Sequence, residues 1–424
     1  MANYDSNYSI ALEIYNGLGG EPAEFDSVYS ILLGILPLVG GGTGSNVIDD
    51  NSIVPDKTWS SNKINTELET LNDNIYNLIY SLHPGADYLN FSSNLPNTKV
   101  RLVRYSKYAA EPSTPIDIDY SFDRINWTHY TVGNNITIPT DGKVYLRGNN
   151  DYFSVYQKKL LYYHHFEFEN GSQNTFNVEA HGNINSLLSK TKWNEITTLP
   201  EYCYYSMFQG CSNLTTAPEL PATTLAGNCY YSMFQGCTSL TTAPALPATT
   251  LANNCYSSMF KGCTSLTTAP ALPATTLANY CYSNMFNGCT SLTTAPELPA
   301  TTLADYCYRS MFQGCSNLTT APALPATTLV NNCYQSMFQG CTSLTTAPEL
   351  PATTLANYCY NSMFKGCTNL NYIKCLATDI SASNSTMSWT NGVSASGTFV
   401  KNPNMTSWTT DSNGIPSGWT VQDA

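Results

Sequence analysis

The hydrophobic positions between residues 200 and 376 follow one template, Cys-Tyr-x-x-Met-Phe-x-Gly-Cys-x-x-Leu, which returns every 26 residues. Its leading cysteines are Cys203, Cys229, Cys255, Cys281, Cys307, Cys333 and Cys359, so seven copies follow one another without a gap. A fixed period of this size marks a solenoid, whose units bury their apolar residues only against the units before and after them. Within a unit, the spacing of Cys203, Tyr204, Met207 and Phe208 predicts one face of a short helix, with Gly210 as its left-handed C-cap. Leu214-Thr215-Thr216-Ala217 predicts an extended segment that Pro218 and Pro221 keep short, because proline has no N–H to donate. Cys203 and Cys211 then act as small buried fillers stacked in ladders along the array.

The polar positions vary from copy to copy in three columns. The residue before the first cysteine is Tyr202, Asn228, Asn254, Tyr280, Tyr306, Asn332 or Tyr358. Three residues later it is Tyr205, Tyr231, Ser257, Ser283, Arg309, Gln335 or Asn361, and four beyond that Gln209, Gln235, Lys261, Asn287, Gln313, Gln339 or Lys365. On a helix, offsets of three and seven put these on one side, opposite the apolar stripe and toward solvent. Repeated at roughly 5 Å where neighbouring units pair as in a sheet, such rows form a flat polar and aromatic surface. That surface suits an extended, uncharged ligand such as a polysaccharide, with Tyr202, Tyr205, Tyr231, Tyr280, Arg309, Gln335 and Tyr358 as the candidate binding residues. The plainer reading of the same rows is the soluble exterior of a spacer.

Upstream the period changes. Lys99–Arg104, Ile116–Tyr120, Asn135–Pro139, Lys143–Arg147 and Phe166–Phe168 alternate apolar with polar residues, and Thr140-Asp141-Gly142 is a hairpin turn, so residues 85–192 predict a β-sandwich. Asn183–Leu188 leads from it into the array as an N-terminal cap. Further back, Ile64, Leu68, Leu71, Ile75, Leu78 and Leu82 are spaced as a heptad seam between a Gly-rich hinge and Pro84-Gly85. This predicts a short oligomerising stalk, compatible with a trimer. The first residues hold two related copies, Asp5-Ser6-Asn7-Tyr8-Ser9-Ile10-Ala11-Leu12 and Asp26-Ser27-Val28-Tyr29-Ser30-Ile31-Leu32-Leu33. Each opens on a helix-capping pair and predicts a short helix, although the alternation also suits a strand. Their residues Tyr8, Ile10, Leu12, Tyr29, Ile31 and Leu33 are candidates for a docking anchor.

Charge sharpens this division. Residues 1–84 hold eleven Asp and Glu against two Lys, whereas residues 85–198 hold eleven of each sign. The acidity therefore belongs to the N-terminal arm, and a net charge of −12 offers no basic footprint for nucleic acid. The opening Met1-Ala2-Asn3-Tyr4-Asp5 lacks a basic n-region, and the apolar run Ile31–Val39 is too short to span a bilayer. Synthesis in a cytoplasm follows, with no membrane partner, and the 15 cysteines read as thiols rather than disulfides. Cys-x7-Cys is not a zinc spacing, and the five histidines, His83, His129, His164, His165 and His181, all precede the array. His164-His165 falls in a predicted strand. With no unit carrying its own acidic constellation, the sequence predicts neither an enzyme nor a cofactor.

The phrase Phe260-Lys261-Gly262-Cys263-Thr264-Ser265-Leu266-Thr267 resembles the signature of BspA-type leucine-rich-repeat surface proteins of anaerobic gut bacteria. The resemblance extends to Tyr372–Ala377, Gly397–Lys401 and Gly414–Trp419, which look like that group's C-terminal cap, and to Tyr120–Trp127 and Val144–Asn150, which look like the β-domain preceding such repeats. It implies α/β leucine-rich-repeat units and adhesion to host surfaces. The opening 84 residues are instead similar to the N-terminal segments of phage head-fibre and other virion-fibre proteins. Together these imply a multidomain, mainly β chain: a virion anchor over 1–45, hinge and coiled-coil stalk over 46–84, β-sandwich over 85–192, solenoid over 193–376 and C-terminal cap over 377–424. The expected function is a phage fibre, on the head rather than the tail, at the virion surface, with a capsid or other virion protein and itself as partners and a host-surface or mucosal glycan as ligand. A phage tail fibre and a bacterial surface adhesin are the alternatives.

Overall fold

A computed structural model describes residues 87–106, 116–157, 160–171 and 175–424. The anchor residues Tyr8 to Leu33 and the heptad seam from Ile64 to Leu82 lie outside these residues. The alternating runs form nine strands: β1 (Leu89–Ser93), β2 (Lys99–Ser106), β3 (Ile118–Ser121), β4 (Thr128–His129), β5 (Ile136–Thr137), β6 (Val144–Gly148), β7 (Ser154–Gln157), β8 (Leu160–Glu169) and β9 (Val178–His181). They divide into two sheets, β9-β1-β6-β3-β4 and β5-β2-β8-β7. Side chains alternate across a strand, so Phe91, Ile118, Val144 and Leu146 of the first sheet meet Val100, Leu102 and Phe166 of the second in one buried layer. Phe91 packs edge-on against Phe166 and Phe168, with ring centres 5.0 and 5.2 Å apart. A buried 3-10 turn at Ile184–Leu187, capped by the Asn183 side chain, then turns the chain into the array.

The array is a β-solenoid of stacked coils. Two short strands precede and open it, β10 (Thr198–Leu199) and β11 (Leu214–Thr216), followed by β12 (Thr224–Leu225). β11 pairs in parallel with β9, so the first coil continues a sandwich sheet. Beyond it the threonine segments touch through single parallel bridges such as Thr242↔Thr268 and Thr294↔Thr320, in keeping with flanking prolines that cannot donate.

The helix expected in each unit does not form, and the α/β description of the repeats is corrected to nearly all-β with turns. From Tyr202 to Gly210 every second N–H points along the solenoid rather than back along the chain. Tyr202, Tyr204, Ser206, Phe208 and Gly210 donate to Gly227, Cys229, Tyr231, Met233 and Gln235 of the next coil at 2.8 to 3.0 Å. The intervening amides close local turns to the residue three before, as in Tyr205 to Tyr202 at 3.1 Å and Gln209 to Ser206 at 3.0 Å. A helix would use all these donors for itself; here half are committed to the neighbouring coil, which satisfies them equally well. The conformation that permits this puts every fourth residue in the left-handed region: Tyr202 at φ 58°, Ser206 at 54° and Gly210 at 78°.

Apolar ladders run through the array and out at both ends. Tyr204, Tyr230, Tyr256, Tyr282, Tyr308, Tyr334 and Tyr360 stack with centres 5.8 to 6.2 Å apart. Phe208 and its six counterparts form a second file at 5.4 to 5.9 Å. At the sandwich end Phe153 stacks on Tyr204 and Phe166 on Phe208, while the amides of Phe153 and Phe166 donate to the free carbonyls of Cys203 and Met207. At the other end the repeat geometry continues past residue 376 into an eighth coil. Asn384, Ser388 and Gly392 keep the left-handed positions, and Trp389 covers both Tyr360 and Phe364. Trp408 then stacks on Trp389 at 5.5 Å, beside a parallel sheet of β13 (Tyr372–Cys375), β14 (Thr398–Lys401) and β15 (Thr420–Asp423).

Candidate binding surface

Because each turn segment repeats in register, its variable positions line up as three columns along one edge of the solenoid. Most of their side chains are half-buried by their neighbours above and below, which corrects the expectation of a freely solvated helical face; Gln209, Arg309 and Lys365 are exposed, and Asn332, Ser257, Ser283 and Asn361 are buried. The candidates separate into two aromatic groups. In one, Tyr205 stacks on Tyr231 with centres 4.8 Å apart and planes within 3°, and Tyr202 lies 6.1 Å from Tyr205. In the other, Tyr280 stacks on Tyr306 at 4.4 Å, and the Arg309 guanidinium sits 5.8 Å from the Tyr306 ring centre, within cation–π range. Gln335 accepts from the Asn332 amide at 3.1 Å. Tyr358 stands in the same column, half-buried, two coils beyond Tyr306. In the third column the amides of Asn287, Gln313 and Gln339 link successive coils at 2.9 and 3.0 Å.

Three residues of this surface escape the candidate set. Tyr306 belongs to the first variable column and was legible there. Tyr105 and Tyr163, on the sandwich strands β2 and β8, stack at 5.0 Å, and Tyr163 meets Tyr205 at 5.5 Å. The ladder Tyr105–Tyr163–Tyr205–Tyr231 thus crosses from two strands of the sandwich onto two coils of the array. Burial, and then the crowding of Tyr231, Tyr163 and Tyr202, pushes the Tyr205 phenol well above its ordinary range, so it stays a neutral hydroxyl.

Beside this ladder a polar cleft of about 270 Å³ opens between β8 and the first coil, lined among others by Arg101, His165, Glu167, Gln209 and Asn213. Cross-strand register sets Arg101 opposite Glu167, and they meet through Nε–H···Oε2 at 2.7 Å. Partial burial tends to raise the Glu167 carboxyl, but hydrogen bonds from Arg101 and His165 outweigh it and hold the group below its usual range. His165 lies 3.2 Å from Glu167 through Nε2, and its Nδ1 is buried without a partner. The adjacent His164 points the other way: burial lowers it to about 4, so it is neutral and donates Nδ1–H to the Phe153 carbonyl at 2.8 Å.

Among the described residues, Asp117, Asp119 and His129 converge closely enough to hold a cation. The Lys190 ammonium already occupies that role, 3.2 Å from Asp117 and 2.8 Å from Asp119. The cysteines are free and buried. Burial pushes their thiols up, to about 12 at Cys255, Cys263 and Cys307, which makes them inert rather than nucleophilic. The Cys211, Cys237 and Cys263 thiols donate to the carbonyls of Phe166, Phe208 and Phe234 in the preceding layer, each at 3.1 Å. No helix of the described residues is long and apolar enough to cross a membrane.

The stacked coils, their uniform core and their variable edge define a repeat solenoid. The profile of the BspA type leucine-rich-repeat region matches in six copies over residues 175–319 and 283–391, about half of the chain. The chain belongs to that family. No curated protein and no solved structure matches it.

Proposed function

We propose that the chain is a structural fibre protein of a phage particle, whose repeat region is displayed for adhesion to host-surface or mucosal glycans. In this reading the acidic repeats around Tyr8 and Tyr29 dock on the capsid or another virion protein, the Ile64–Leu82 seam trimerises the chain, and no reaction is catalysed. Head attachment is preferred to tail attachment. Family membership supports the adhesive part, because BspA-like repeats are commonly surface adhesion modules.

The observation that carries the reading is the backbone beneath the edge tyrosines. Tyr202, Tyr280, Tyr306 and Tyr358 all sit at φ 56° to 60°, a conformation that costs a bulky L-residue about 1–2 kcal/mol and that Asn or Gly adopts more readily. Strain of this kind clusters at functional sites such as ligand clamps. Tyrosine also brings a flat apolar ring and a polar tip, the pairing that suits sugars.

A glycan array probed with the intact chain tests adhesion. Binding is expected, and it should weaken about tenfold, the effect of losing one good contact, in Tyr280→Ser/Tyr306→Ser. An array on which the intact chain binds nothing refutes the adhesive role. Particles assembled with a chain lacking residues 1–60 are expected to lose the protein; its retention on purified virions refutes the anchor.

A further inference from the structure

We propose that the cleft between β8 and the first coil is a subsite for a single neutral hexopyranose, and that the tyrosine ladder beside it carries the adjoining part of the glycan. This rests on the reading of the repeat region as a glycan-binding surface and gives it a location. Four observations converge. The cleft and the ladder are continuous, since Tyr163 contacts both Tyr205, at 5.5 Å, and the cleft residue His165, at 5.9 Å between ring centres. The volume of about 270 Å³ lies just below the ~300 Å³ at which pockets for drug-sized molecules begin, so it admits one ring rather than a chain.

The charges in the cleft are matched. Arg101 is paired with Glu167, and Lys99 lies 3.6 Å from Glu169, so neither an anionic nor a cationic sugar finds an unopposed partner. Paired charges still form strong hydrogen bonds to neutral hydroxyls, with the carboxylate accepting and the guanidinium donating. Gln209 adds an exposed amide that offers both functions. Finally, the buried Nδ1 of His165 has no partner in the protein, an unusual state for a polar atom and one that a hydroxyl or an ordered water would relieve. The ladder supplies the apolar contact. Tyr105, at its outer end, is 48% exposed, and its ring is inclined by 34° to that of Tyr163, which leaves ring surface open to the C–H face of a sugar.

The test is saturation-transfer NMR on the full chain with the methyl glycosides of glucose, galactose and mannose. At least one should receive saturation, with transfer lost in Arg101→Ala/Glu167→Ala, which removes both charges together, and reduced in Tyr105→Ser. Gln209→Ala, at an exposed side chain, is the second cleft variant should the double variant fail to fold, and it too should reduce transfer. The same experiment on Val421→Ser, at an exposed side chain of β15 remote from the cleft and the tyrosines, should leave transfer unchanged. Absence of transfer from every methyl glycoside, or transfer that survives the cleft substitutions, overturns the subsite. If polymeric glycans still bind on the array and only the Tyr280/Tyr306 variant loses them, the cleft falls while the broader adhesive reading stands. If the intact chain binds no glycan in either format, both fall.

Discussion

Replacing Tyr256 by phenylalanine should stabilise the array, whereas the same change at Tyr204 should weaken it. Both rings belong to one stacked file and both are buried, so the contrast isolates the hydroxyl. The Tyr204 hydroxyl donates to the Ile184 carbonyl at 3.2 Å and lies 3.1 Å from Asn185 Oδ1. Those of Tyr230, Tyr256 and Tyr282 are buried without a hydrogen-bond partner. A buried polar group left unpaired costs about 1–3 kcal/mol, while a satisfied hydrogen bond contributes about 1 kcal/mol. Tyr256→Phe keeps the ring and its contacts at 5.8 and 5.9 Å, so it should gain on the order of 1 kcal/mol, and Tyr204→Phe should lose a similar amount. The triple change at 230, 256 and 282 should gain about 3 kcal/mol at most under simple additivity, and less in practice because touching rings are coupled. Urea titration reads this as a shift of the midpoint at constant slope. Hydrogen exchange at the amides of the third coil supplies a local reading, which matters because a long solenoid need not unfold as one unit. Destabilisation by Tyr256→Phe of the same size as Tyr204→Phe would refute the reasoning and show that the hydroxyl file is hydrogen-bonded, for instance by a row of internal waters.

Two further outcomes follow from the same core. The thiols titrate near 9 when unfolded and are pushed to about 12 at Cys255, Cys263 and Cys307, so their contribution to stability is complete below pH 9 and is lost as pH rises toward 12. Each thiol should remove up to about 1.4 kcal/mol per pH unit across that window, giving steep alkaline unfolding by circular dichroism; an unchanged urea midpoint at pH 10.5 would contradict it. Trp389→Ala should cost about 3–5 kcal/mol, as for other large buried aromatics. In a one-dimensional stack the damage should stay local, raising hydrogen exchange over 358–424 while the first three coils keep their protection; uniform loss across all coils would show global cooperativity instead.

The 26-residue period made the solenoid, its buried cysteines and its short threonine segments legible, because a repeated apolar set leaves few ways to be buried. The local conformation was not legible. Apolar residues at Cys203, Tyr204, Met207 and Phe208 fit a helical face, yet they fit equally a succession of turns that returns the chain to the same side every four residues. What decides between them is where the alternate amides donate, and that depends on the next coil rather than on local spacing. The eighth coil is hidden in the sequence for a related reason. Of the template, Ser388-Trp389-Thr390-Asn391-Gly392 retains only the serine and the glycine of Ser362-Met363-Phe364-Lys365-Gly366, the two residues in left-handed backbone. The half of the tyrosine ladder contributed by Tyr105 and Tyr163 needed the pairing of β2 with β8 and of β8 with the first coil, contacts that no periodicity within the array encodes.

The three left-handed columns differ in a way that separates backbone demand from surface demand. The glycine column, Gly210 to Gly366, is invariant, and the second column is serine in all but one copy, where Asn284 stands. Both hold residues that are small, tolerate positive φ or bond locally, as the turn requires. The first column has the same φ and the same inter-coil hydrogen bond, yet it alternates between asparagine, which the turn favours, and tyrosine, which it does not. Nothing in the coil's own hydrogen bonding asks for an aromatic there: Asn228, Asn254 and Asn332 make the equivalent amide bonds to the next coil at 2.9 to 3.0 Å. The tyrosines are therefore carried against the local preference of the backbone, and their pattern along the edge, rather than the uniform core, is what distinguishes one coil from the next.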